Sequence, residues 1–146
     1  MINRRRAEVA AYMFDPRNDK VWTDGVDDSR QLTEGPLRTG SKVEHIYRLL
    51  CCLKMGFVYE VTATDGESLV EMTLTESFPE SIPASFATRI RYQLEPTAGG
   101  TLTSIHVRTD TTGFSKLVML ITTPLARRSL TKNLLLLKKT LERAGK

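Results

Sequence analysis

The chain has 146 residues, 40% of them hydrophobic and 26% charged, which fits one globular domain able to bury a core. Its net charge of +4 is modest, and the basic residues gather near the C-terminus where they complement a helix dipole, so no nucleic-acid partner is expected. No apolar run reaches membrane-spanning length, so no transmembrane segment is expected. Cys51 and Cys52 are adjacent and too close for an ordinary disulfide, so a reducing, cytoplasmic setting is expected.

In chain order, Met1 to Asn3 is too short for much of a strand. Arg4 to Phe14 places Val9, Ala10, Met13 and Phe14 on one side and predicts a short helix with Asn3 as N-cap. Its three arginines sit at the wrong end for the dipole, so this helix needs tertiary packing. Asp15-Pro16 restarts the chain as cap and first helical residue of a second short helix, which runs to about Trp22 and ends at Gly25.

The period then changes to two. Val26 to Thr33 is a weak strand, followed by turn signals at Glu34-Gly35-Pro36 and Gly40. Ser41 to Leu50 alternates Val43, His45, Tyr47 and Leu49 against Lys42, Glu44 and Arg48. Lys54-Met55-Gly56 predicts a turn. Phe57, Tyr59, Val61 and Ala63 form the next apolar row, and Asp65-Gly66 signals a hairpin into Val70, Met72 and Leu74. Two prolines make Ser77 to Pro83 a loop. Phe86, Thr88, Ile90, Tyr92 and Leu94 alternate next, Pro96 to Gly100 turns the chain, and Thr103, Ile105 and Val107 alternate after it. Phe114, Leu117, Val118, Ile121 and Leu125 then start a long helical stripe. It continues beyond a bend marked by Pro124 through Leu130, Leu134, Leu137 and Leu141. The order predicts an α+β domain spanning residues 1–146. Short turns imply an antiparallel meander of six to seven strands, and its packed face must cover the long helical stripe.

The pattern as a whole resembles the polyketide cyclase/dehydratase branch of the START-like helix-grip superfamily, SRPBCC. The residues that carry the likeness are Ala7-Glu8-Val9, Tyr12 to Pro16, Trp22, Glu34-Gly35-Pro36-Leu37 with Gly40, and Tyr59-Glu60-Val61. They continue with Tyr92-Gln93-Leu94-Glu95-Pro96, Gly99-Gly100-Thr101 and Leu137 to Glu142. The resemblance implies a curved sheet wrapped on the C-terminal helix, a hollow between them, and a small hydrophobic ligand such as a lipid, polyketide or isoprenoid-like compound. It implies no cofactor and no universal catalytic signature. Family members usually carry a full first strand, and here only Met1-Ile2-Asn3 stands in its place. Either the native start lies upstream, or a sheet edge is uncovered. An open edge invites a second chain, so a homodimer is a reasonable expectation.

The expected ligand-binding residues are Trp22, Val43, His45, Tyr47, Phe57, Tyr59, Met72, Phe86, Thr88, Ile90 and Tyr92, with Phe114, Leu117, Val118 and Ile121 from the helix. An apolar wall with a few orienting polar groups is the usual make-up of such a pocket, although the same residues equally fill a core. His45 is the sharpest of them. With Tyr47 or Tyr59 as proton donor it could serve a polyketide cyclase or dehydratase as base. The plainer reading, a core histidine bonded to a tyrosine or a backbone carbonyl, outweighs this one. His106 and Arg91 point outward by parity, and Trp22 reads first as an anchor for its helix. Phe78 and Ile82 border the expected mouth. No nucleophile elbow, phosphate loop or metal-ligand spacing is present, so no metal is expected. Ser129-Leu130-Thr131-Lys132 lacks the partner motifs of acyl-enzymes. Three functions remain in view: ligand binding, a cyclase or dehydratase, and a protein-interaction module without ligand.

Overall fold

The structure is a computed structural model. It describes residues 1–48, 54–78, 87–110 and 115–143, with side chains throughout except at 87, 110 and 115–126. Helix α1 (Arg6–Met13) starts two residues later than Asn3 would cap it, with Arg5 at the cap. The Arg5 amide is held by the Glu8 side chain (3.0 Å), while the Asn3 amide donates to Glu142 (2.9 Å). Val9, Ala10 and Met13 are its buried stripe, as the spacing required. Asp15 accepts from the Arg17 amide (3.1 Å) and caps a 3-10 turn, Pro16–Asn18, which leads directly into α2 (Asp19–Trp22).

Six strands follow: β1 (Val26–Gln31), β2 (Lys42–Arg48), β3 (Lys54–Thr64), β4 (Leu69–Phe78), β5 (Ala87–Thr97) and β6 (Gly100–Asp110). They form one curled antiparallel sheet in sequence order. Two turn expectations are corrected. Lys54-Met55-Gly56 lies inside β3, because Gly56 pairs with Phe78 and the Phe78 ring covers the space beside its missing Cβ. Ser77 and Phe78 belong to β4 instead of the following loop, and the rest of that loop lies outside the described residues. Pro96 is a strand residue opposite Thr101. Thr101 gives its own N–H and C=O to Ile2 on the other side, and β4 begins only opposite Gln93, so no strand beside Pro96 needs an amide there. The Ile2–Thr101 bridge (2.9 and 2.8 Å) is the remnant of pairing that the N-terminal residues contribute.

The final helix α3 (Ser115–Arg143) runs through Pro124 unbroken, at the loss of one backbone hydrogen bond. Leu137 and Leu141 are buried in one core with Val9, Met13, Trp22 and the inward residues of β2 to β5. Asn133, which the leucine stripe does not reveal, is also buried, and its side chain accepts from the Asp24 amide (2.8 Å), fastening the α2–β1 turn to α3.

Candidate functional site

Register places the side chains. Val43 stands opposite Tyr59, and His45 opposite Phe57. Val61, Met72 and Ile90 form one row across β3, β4 and β5, and Val70 and Tyr92 form another. Opposed residues share a face, so all of these lie on the concave side with Thr88, Thr103 and Ile105. Ser29 of β1 stands opposite His45 and completes the row.

Above that row sits Asp19. Its Oδ2 lies 2.8 Å from His45 Nε2 and accepts from the Ser29 hydroxyl at 3.2 Å. Asp19 is 4% exposed and His45 2%. Burial pushes the Asp19 carboxyl above the ordinary aspartate range, against the opposing pull of His45 and Ser29. The partner of His45 is thus a buried carboxylate, not the tyrosine or backbone carbonyl expected. Sequence reasoning missed Asp19, although one signal pointed to it: it lies three residues before Trp22, on the same helical face, so burying one turns the other inward. Its charge argued against that placement, and only a charge-accepting partner on the sheet permits it.

Aromatic rings surround the pair. Tyr59 is 5.3 Å and Tyr47 6.4 Å from the His45 ring, Tyr47 packs edge-on against Phe57 at 5.6 Å, and Trp22 meets Tyr92 edge-on at 5.9 Å. Burial raises Tyr47 and pushes Tyr59 up to about 12. It raises Tyr92 well above its ordinary value, with Asp19, Tyr47 and Tyr59 adding to the shift. These phenols therefore stay neutral donors at any ordinary pH. Two enclosed polar atoms in the cluster have no partner among the described residues: His45 Nδ1 and Trp22 Nε1. Thr23 Oγ1 and Thr103 Oγ1 are two more such atoms.

Ten of the expected ligand residues, Trp22, Val43, His45, Tyr47, Phe57, Tyr59, Met72, Thr88, Ile90 and Tyr92, therefore share the interior side. Phe86 and Phe114, and the side chains of Leu117, Val118 and Ile121, lie outside the described residues. Phe78, expected near the mouth, is 46% exposed on β4. His106 and Arg91 face solvent across from each other, as parity required. Among the described residues no group of three His, Cys, Asp or Glu could hold a metal ion. Among the described residues no helix is long and apolar enough to cross a membrane.

A large open-sided cavity of about 1650 Å³ lies elsewhere, between α1, the Gly35–Leu37 turn and the β3–β4 and β5–β6 hairpin ends. Of the inward sheet residues, Val70 borders it.

The architecture is that of the helix-grip fold. Comparison with protein-family models and with curated proteins finds no match. Among solved structures the chain is similar to Ara h 8.0201, with 12% identity and a TM-score of 0.72 over 97% of this chain and 93% of that one. It is similar to the major latex-like protein 151 of Panax ginseng, with 15% identity and a TM-score of 0.59 over 88% and 86%. It also matches the di-domain ARO/CYC StfQ of the steffimycin biosynthetic pathway, with 12% identity and a TM-score of 0.67 over 99% of this chain and 43% of StfQ. At these identities the likeness defines the fold alone.

Proposed function

We propose that the protein binds a small hydrophobic molecule, of the lipid, polyketide or isoprenoid-like kind, between the concave face of the sheet and α3. The observation that carries this reading is the pair of enclosed polar atoms without a partner among the described residues, His45 Nδ1 and Trp22 Nε1, set in an aromatic and aliphatic wall. An unpaired buried polar group costs about 1–3 kcal/mol, and an occupant that offers a hydroxyl to His45 Nδ1 and an oxygen acceptor to the Trp22 N–H would recover it. Apolar contact then supplies affinity and these groups supply orientation. The fold neighbours support such a role without naming the ligand. Native mass spectrometry of gently purified protein should show a retained small molecule. An empty protein that gains no thermal stability from a panel of lipids and aromatic polyketides would overturn the reading in favour of an interaction module.

The second reading, a polyketide cyclase or dehydratase, is favoured by one observation. Asp19 orients His45 as a catalytic base is oriented by a third group. His45→Ala should then abolish turnover of a ketide substrate while binding persists, with Tyr59 or Tyr47 as the neutral proton donor. Turnover unchanged in His45→Ala would end that assignment. Beyond the Ile2 bridge, the outer edge of β6 pairs with no strand among the described residues, which supports a homodimer, and a single monomeric boundary in sedimentation velocity would remove it. The adjacent Cys51 and Cys52, too close in sequence for an ordinary disulfide, support a cytoplasmic setting.

A further inference from the structure

The cavity beside α1 is a candidate for a second site, separate from the interior one. Its floor is apolar, with Ala10, Phe14, Leu37 and Val70, and its rim is arginine-rich. Arg4, Arg5, Arg6, Arg17 and Arg30 border it, against three carboxylates: Glu8, Asp15 and Glu67. Each of those carboxylates is taken. Glu8 lies 3.6 Å from Arg5, Glu67 is 2.9 Å from Arg6, and Asp15 is 2.6 Å from Arg17. Arg30 turns to Glu44, at 2.6 Å. Arg4 is left. It is half-buried, and its Nε donates to the Leu141 carbonyl at 3.0 Å, which leaves the outer fork without a carboxylate among the described residues. A half-buried guanidinium with free donors beside an apolar floor matches one ligand shape: an anionic head on an apolar body. The first turn of α1, whose amides carry partial positive charge, borders the same cavity.

We propose that this cavity binds a soluble amphiphilic anion, with Arg4 receiving the head group and Phe14, Leu37 and Val70 the apolar part. A neutral hydrophobe belongs in the interior site and an acidic one here, so the two proposals fail separately.

The test uses two fluorescent probes with the same rings, anilinonaphthalene sulfonate and its uncharged counterpart phenylnaphthylamine. The whole chain should bind the sulfonate about tenfold more tightly, the worth of one charge-assisted contact. Amide resonances of residues 7–11, 37 and 97–100 should shift. Arg4→Gln should bring the two affinities together. Ala11→Trp, which fills the cavity from an exposed helix position, should remove sulfonate binding with the melting temperature unchanged. Equal affinities in the native chain, or shifts confined to the surroundings of His45 and Tyr59, would overturn the proposal, as would sulfonate binding that survives Ala11→Trp. These readings hold even if Arg4→Gln disturbs the end of α3 that Arg4 caps. Neutral probe bound near His45, with no preference for charge, would leave the interior site standing and remove this one.

Discussion

His45 shows how much one buried partner changes a residue. Alone on the apolar face it would be desolvated and costly; with Asp19 on one ring nitrogen it is held in a fixed orientation, the other nitrogen enclosed and without a partner among the described residues. Removing the carboxylate strands the imidazole. We expect Asp19→Ala to cost about 3 kcal/mol in urea unfolding, in the range for breaking a buried pair, and to cost much less in a His45→Phe background. A loss equal in both backgrounds would show that Asp19 acts through packing. The phenols offer a second check. Tyr47, Tyr59 and Tyr92 are all raised, so an alkaline absorbance titration should show these three silent near pH 10, where a free tyrosine is half ionised. Their signal should appear only towards pH 12 or with unfolding. Four phenols titrating together near 10 would contradict the enclosed cluster.

At the scale of elements, the hairpins carry the strongest local determinants. Asp65 accepts the amides of Glu67, Ser68 and Leu69 and the Ser68 hydroxyl, and these bonds, the hydroxyl first, hold its carboxyl well below the usual aspartate range. The folded chain therefore favours the ionised form. Its stabilising contribution is full above the unfolded value near 4 and is lost as the pH falls below it. In Asp65→Asn, stability should depend less steeply on pH below about 4 than in the parent, measured by urea midpoints across that window. At the next hairpin, Gly100 has φ +134°, and a Cβ there would lie 2.2 Å from the Ile2 carbonyl oxygen. Gly100→Ala must push the N-terminal residues off the sheet edge. We expect a loss of about 1–3 kcal/mol and faster amide exchange at Ile2 and Thr101. Wild-type protection at those amides would show that the bridge relaxes without cost.

For the molecule as a whole, the alternation of side chains was enough to read the meander, its inward face and the long helix, because burial on one side of a sheet imposes period two directly. The leucine stripe at Leu137 and Leu141 was legible for the same reason. What escaped were features set by partners distant in sequence. Asp19 depends on His45, Asn133 on the Asp24 amide, and the strand role of Lys54 to Gly56 on Phe78 across the ladder. Asn3 failed as a cap because α1 begins two residues later and its backbone amide is drawn to Glu142. The cavity beside α1 was likewise invisible, being assembled from five separate segments with no shared periodicity.

The ends of the described chain are fastened to each other. Ile2 is bonded to Thr101, Asn3 to Glu142 and Arg4 to the Leu141 carbonyl, the last two across 139 and 137 residues. Closing a loop of that length costs about 4 kcal/mol of chain entropy, so these contacts form late during folding and open early under tension. A circular permutant that links the two ends by a short peptide and opens the chain at the Asp65–Gly66 tip would make them local. It should refold faster than the parent, with the slow step moved to β3–β4 pairing.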